Sequence, residues 1–177
     1  MTSTTLRRGL AAVAVLSGLV VSGCGTHPGA AAVVDGQRIS ENEVARAIED
    51  FTAVTGQPVD APMMLGTLIV APIMVEVAAQ HGVAASDAEA AALLDEQAEF
   101  NDREAPDDYS QGVLQVATMT IVQQGLAQAS DPEGVVNEIT ERINSADVEV
   151  SPRYGTFDPS GGQIATEPLP WIAAPGQ

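Results

Sequence analysis

One thiol, two imidazoles and a large excess of carboxylates are the groups in this chain that could do chemistry: Cys 1, His 2, Asp plus Glu 24 against Lys plus Arg 7. A lone thiol excludes an internal disulfide. It is instead a potential nucleophile, and its place is specific. Cys24 follows Val21-Ser22-Gly23, small residues that let an extended chain enter a peptidase, at the end of an apolar stretch from Leu10 to Val21. The imidazoles point to no triad, because Ser/His/Asp chemistry needs a placed His. His27 lies in a Gly/Pro-containing stretch, and His81 precedes Gly82, at a helix end where His commonly meets free carbonyls. The carboxylates follow the polar sides of helical patterns, as solvated faces do, so paired acid/base work is not expected. The loop Asn101–Asp108 is acidic but lacks the Gly-centred ligand spacing of a calcium loop. No catalytic residue, metal or cofactor is expected.

Methionine offers a different chemistry. Met63, Met64 and Met74 fall in a segment with no charge from Ala61 to Val75, and Met119 lies further on. An unbranched, polarizable side chain adapts to irregular apolar partners, so such residues suit a groove for unspecific polypeptides as well as plain core filling. With Leu68 they make a candidate client groove.

Residues 1–23 have a basic start at Arg7-Arg8 and an apolar run too short to span a bilayer, the layout of an export signal. Val21-Ser22-Gly23-Cys24 resembles the bacterial lipobox. That resemblance implies cleavage between Gly23 and Cys24 and a covalent lipid on Cys24, hence a chain anchored on the extracytoplasmic face of the cell membrane. Arg7-Arg8 also partly resembles a twin-Arg signal, although basic starts are common to other export routes. The remaining chain, Cys24–Gln177, would have 154 residues, one domain's worth, and losing the two Arg takes the formal charge from −17 to −19. Such a body repels nucleic acid and anionic lipid headgroups, so neither is an expected partner, and attachment would fall to the lipid.

The elements that must position these residues are mostly helices. Residues 24–32 read as a tether, 33–154 as a helical domain and 155–177 as a Gly/Pro-rich tail. Val33-Val34 and Gln37–Ile39 flank Asp35-Gly36, a tight-turn pair. Ser40 with Glu43, and Ser86 with Glu89, have capping-box spacing. Helices are expected over about Glu41–Thr55 (Val44, Ala47, Ile48, Phe51 and Val54 inward), from Ala61 to Gly82, to about Phe100 (Ala91, Leu94 and Ala98 inward), over roughly Asp108–Ala129 (Leu114, Ala117, Ile121 and Val122), and from Pro132 to about Ser145 (Val136, Ile139 and Ile143). Pro72 is expected to kink or split the second. Val148-Glu149-Val150 alternates like a short strand. Trp171, between Leu169 and Ile172, is expected to dock back onto the helices.

Three passages suggest a family. "AAVVDGQRISENEV", "AAQHGVAASDAEAAALLDEQ" and "DVEVSPRYGTFDP" resemble, in order, the opening, a helix junction and the closing strand of the SurA N-terminal domain shared by extracytoplasmic chaperones of the SurA and PrsA type. The resemblance spans nearly all of residues 31–158. It implies a mainly α fold, about five helices in a SurA-N-like bundle, closed by a small sheet. That sheet would pair Val33-Val34 or Gln37–Ile39 with Val148–Val150. It implies non-catalytic, chaperone-like binding of unfolded or exported polypeptides. The family's parvulin-type isomerase domain has no room here, since only Ser130 separates the fourth helix from Asp131-Pro132. A lipoprotein that docks one fixed partner is the alternative.

Overall fold

The computed structural model describes residues 28–165. Strand β1, Ala30–Val34, turns into β2, Gln37–Ser40. Both turn residues take positive φ, 49° at Asp35 and 80° at Gly36, the turn whose twist matches a two-residue hairpin. Ala31 and Ala32 are fully buried. The tether is therefore shorter than expected, because its last three residues are already strand. Small side chains allow this, since they let β1 lie close against a helix.

Ser40 accepts from the Glu43 N–H at 3.1 Å and Glu43 reaches back to the Ser40 N–H. Helix α1 then runs Glu41–Thr55 and stops at Gly56, in the left-handed region. Asp60 caps α2, Ala61–Gln80, through the Met63 N–H at 2.8 Å. Pro72 does not split α2. It is exposed beside an open hollow that also borders Leu68, so the carbonyl it leaves without a partner can meet water. Helix α3, Asp87–Phe100, starts at the Ser86/Glu89 capping box. Helix α4, Gln111–Leu126, is three residues shorter at each end than expected, and α5 runs Pro132–Ser145 behind its Asp131 cap.

Three inward stripes differ from expectation. Ala90 rather than Ala91 is buried in α3, and Val135 rather than Val136 in α5, where Val136 stays 50% exposed. In α4, Gly112, Val113 and Thr118 are buried with Ala117, Val122 and Leu126, while Leu114 and Ile121 are half-buried. Each stripe was ambiguous by one residue, a rotation of about 100°, and packing decided between neighbours. In α1, Val44, Ala47 and Val54 are buried, with Ile48 and Phe51 at the margin.

The fold is mainly α with small antiparallel sheets. Strand β3, Val148–Val150, pairs with β1 (Ala32 opposite Val150, Val34 opposite Val148), giving the order β2–β1–β3. Of the two closures expected, the one through Val33-Val34 forms, and β2 lies on the other side. The central element is α2, which contacts α1, α4, α5, β1 and a strand beyond β3. By length and apolarity α2 would also suffice to cross a membrane, yet half of that window is buried within the domain.

That further strand corrects the tail. Thr156–Asp158 (β4) and Gln163–Ala165 (β5) form a hairpin, with Phe157 and Ile164 packed on the core. A Cβ at Gly66 of α2 would sit 3.1 Å from the Gly162 carbonyl, so α2 has a notch where the hairpin lies. Leu169, Trp171 and Ile172 lie outside the described residues, as do Gly23 and Cys24.

The turn at Asp35 fastens the sheet to α5. Arg142 Nη2 donates to Asp35 Oδ2 at 2.6 Å, and the Asp147 N–H donates to Oδ1 at 2.9 Å. The Arg142 hydrogen bond foremost, then that of Asp147, holds the Asp35 carboxyl below the usual carboxylate range. A lowered folded-state pKa stabilises above the unfolded value, and that contribution disappears as pH falls through the lowered one. Asp35→Asn, which still tolerates positive φ, should therefore flatten the dependence of the urea midpoint on pH in the acid range. Parallel profiles for the two proteins would refute the coupling.

Candidate functional site

Helix α2 is apolar on every side, so its neighbours decide which face remains open. Met63, Thr67, Val70 and Met74 recur at intervals of four, three and four residues, one face of a helix. That face is not covered by another helix. It forms the floor of a cleft of about 550 Å³. Helix α4 supplies one wall through Met119 and Gln123, and the β4–β5 connection supplies the other through residues 161–164. Asp60 and Pro62 mark one end.

The cleft continues past Met74 and Gln123. These two residues also border a second hollow of about 440 Å³, lined by Leu126 of α4 and Val136, Ile139 and Thr140 of α5. Both α4 and α5 pack on α2, and the space between them exposes Val136. The result is a trough along α2 from Met63 to Val136, apolar on its floor apart from Thr67, with further polar side chains at Asp60, Gln123, Gln163 and Thr140.

Of the five residues expected to line a groove, Met63, Met74 and Met119 are brought together and Met64 and Leu68 are not. Met63 is 63% exposed, whereas Met64 and Leu68 retain 3% and 1%. The reason is rotation: Met64 is about 100° and Leu68 about 140° around the helix from Met63, which turns both into the core beside Val44 and Leu65. Val70, Gln123, Ile164 and Val136 were missed. Val70 was findable, seven residues beyond Met63 on the same face, but Ile164 depends on a hairpin that only packing defines.

No protein-family model, curated protein or solved structure matches the chain.

The titratable groups lie outside the trough floor. His81 ends α2, but its ring does not meet helix carbonyls: Nε2 lies 2.8 Å from Glu138 Oε2, joining α2 to α5. The Tyr109 hydroxyl is pushed up to about 12, by burial first and then by its 2.9 Å hydrogen bond to Asp95, so it stays a protonated donor that ties the α3–α4 connection to α3. Among the described residues, no group of three or more His, Cys, Asp or Glu could hold a metal ion. The acidic connection is instead fastened by Arg103, whose Nε donates to the Ala53 carbonyl at 3.1 Å. At the other end of the domain, Arg38 Nη2 donates to the Pro28 carbonyl at 2.9 Å. The described chain is thus held four residues beyond Cys24.

Proposed function

We propose that this chain is a membrane-anchored lipoprotein of the cell envelope that holds unfolded or exported polypeptides without catalysis, using a SurA-N-like domain. The observation that carries the reading is the open trough along α2. Three methionines line it, it has the length for an extended segment rather than a compact ligand, and its polar groups other than Thr67 sit along the sides or at one end. A holding protein works through accessible apolar surface on a body kept soluble by charge, and the acidic composition supplies the second requirement. Pairing of β1 with β3 agrees with the closure that the family resemblance implies. Attachment through Cys24 rests on the lipobox-like sequence.

The test is suppression of aggregation of several unfolded exported proteins at near-equal molar ratio. Met63→Asp and Val136→Asp together should abolish suppression and leave the melting temperature little changed, because the two residues are 63% and 50% exposed. Suppression that survives both substitutions would remove the trough from the reading. Suppression of none of the clients by the unaltered protein would favour docking of a single fixed partner. Metabolic labelling with a fatty acid should be lost on Cys24→Ser, and labelling that persists would refute the anchor.

A further inference from the structure

Strand β5 ends one residue beyond the wall of the trough. Gln163 and Ile164 line the cleft, and Ala165 ends the strand. The next residues read Thr166-Glu167-Pro168-Leu169-Pro170-Trp171-Ile172. We propose that this C-terminal segment occupies the methionine-lined cleft of its own chain, anchored by Leu169, Trp171 and Ile172, and that a client must displace it. The proposal rests on the cleft being the client site.

Reach allows it. Leu169 is four residues and Ile172 seven residues beyond Ala165, which at ~3.5 Å per residue gives about 14–25 Å. The floor from Met63 to Met74 spans eleven residues of helix, about 16 Å. Composition fits as well. Glu167 is the only charged residue between Thr166 and Gln177, so the segment brings little like charge to an acidic body. Pro168 and Pro170 restrict themselves and the residues before them to extended or polyproline backbone, so little conformational freedom is lost on docking. In polyproline geometry, with three residues per turn, Leu169 and Ile172 share an edge. A tryptophan beside Met63, Met74 and Met119 makes the sulfur–aromatic contacts that methionine favours. A tethered segment also acts at millimolar effective concentration, so even modest intrinsic affinity keeps the cleft filled.

Trp171 is the chain's only tryptophan, so its fluorescence reports the segment directly. In the full chain held in phosphatidylcholine nanodiscs, Trp171 should emit at short wavelength, resist acrylamide and be insensitive to protein concentration. Met119→Asp in the wall, and separately Leu169→Ser in the segment, should each raise acrylamide quenching several-fold. The second change lies outside the described residues. Ending the chain after Ala165 should raise affinity for an unfolded client about tenfold. Free quenching of Trp171 in the unaltered chain would overturn the proposal. So would protection lost on dilution, which indicates a second copy's segment, or quenching by brominated lipid, which indicates the bilayer. Equal client binding with and without the segment overturns the displacement but leaves the proposed function standing. A shielded Trp171, exposed by Met119→Asp, with no client bound by either form supports docking of the segment and overturns the proposed function instead.

Discussion

Replacing Leu65 by alanine is expected to lower the free energy of unfolding by about 3–5 kcal/mol, near the top of the range for such changes. The reason lies in what surrounds it. Leu65 is completely buried in a cluster with Ala31, Ala32, Ala47, Leu68 and Ile69. How much a large-to-small change costs depends on how far neighbours can move into the space. An alanine Cβ is fixed to its backbone and has no rotamer that swings inward, so three of the seven other members of this cluster, Ala31, Ala32 and Ala47, cannot move side-chain atoms into the space. For a domain of this size, the loss corresponds to a fall in melting temperature of order 10 °C. Urea unfolding of the described domain's fluorescence-independent signal, far-ultraviolet circular dichroism, measures it. A loss below about 1.5 kcal/mol would mean that the helices close the gap, and that the alanine-lined core is softer than its packing indicates.

The second large effect is expected at Gly155. Its φ is +121°, a conformation that side chains rarely adopt, and a Cβ there would fall 2.3 Å from the Ala165 carbonyl oxygen. That contact is with backbone on the partner strand of the hairpin, so no rotamer change relieves it. Gly155→Ala must either flip the local backbone or push β5 off β4, and residues held in such conformations cost about 1–3 kcal/mol before the clash is counted. The helices should persist, because their caps do not involve the hairpin. The trough should lose the wall built by residues 161–164, and the client binding proposed for it should fall about tenfold or more, the loss of about 1.4 kcal/mol of contact energy. Limited chymotrypsin digestion gives the structural readout: new cleavage after Phe157 in the variant and protection in the unaltered chain. A variant as resistant as the parent, with unchanged binding, would show that the hairpin tolerates the substitution.

Gly155 also marks where the sequence stops being readable. The helices announced themselves through local chemistry. Ser40 with Glu43 and Ser86 with Glu89 fix two N-termini by hydrogen bonds within four residues, and both capping boxes form. Asp131-Pro132 fixes a third. The Asp35-Gly36 turn and the alternation of Val148–Val150 are equally local. The hairpin has no such signature: its strands are three residues each, and their register comes from contact with Gly66 and Val70 of α2. The same boundary divides the candidate site. Segment charge picked out α2 as the helix to watch, and Met63, Met74 and Met119 do meet. Which of its faces stays open could not be read, since α2 is apolar all round and periodicity carries no information there. Met64 and Leu68 were misplaced for that reason. In α5 the polar face was legible, but Val135 and Val136 are adjacent and both apolar, and only contact with α2 selects between them.

The pairing of β1 with β3 has a consequence in time. The paired residues are 114 to 118 positions apart, Val34 with Val148 and Ala32 with Val150. All five helices lie between the two strands, so they can assemble on α2 while β1 still lacks one neighbour. Closing so long a loop is also the slowest kind of contact to form. Throughout the wait, β1 presents Ala32, Val33 and Val34 along an unfilled hydrogen-bonding edge, with β2 guarding only the opposite side. The sheet is therefore a timer as well as a fastening: until β3 arrives, the first-made strand keeps an extended, apolar edge open.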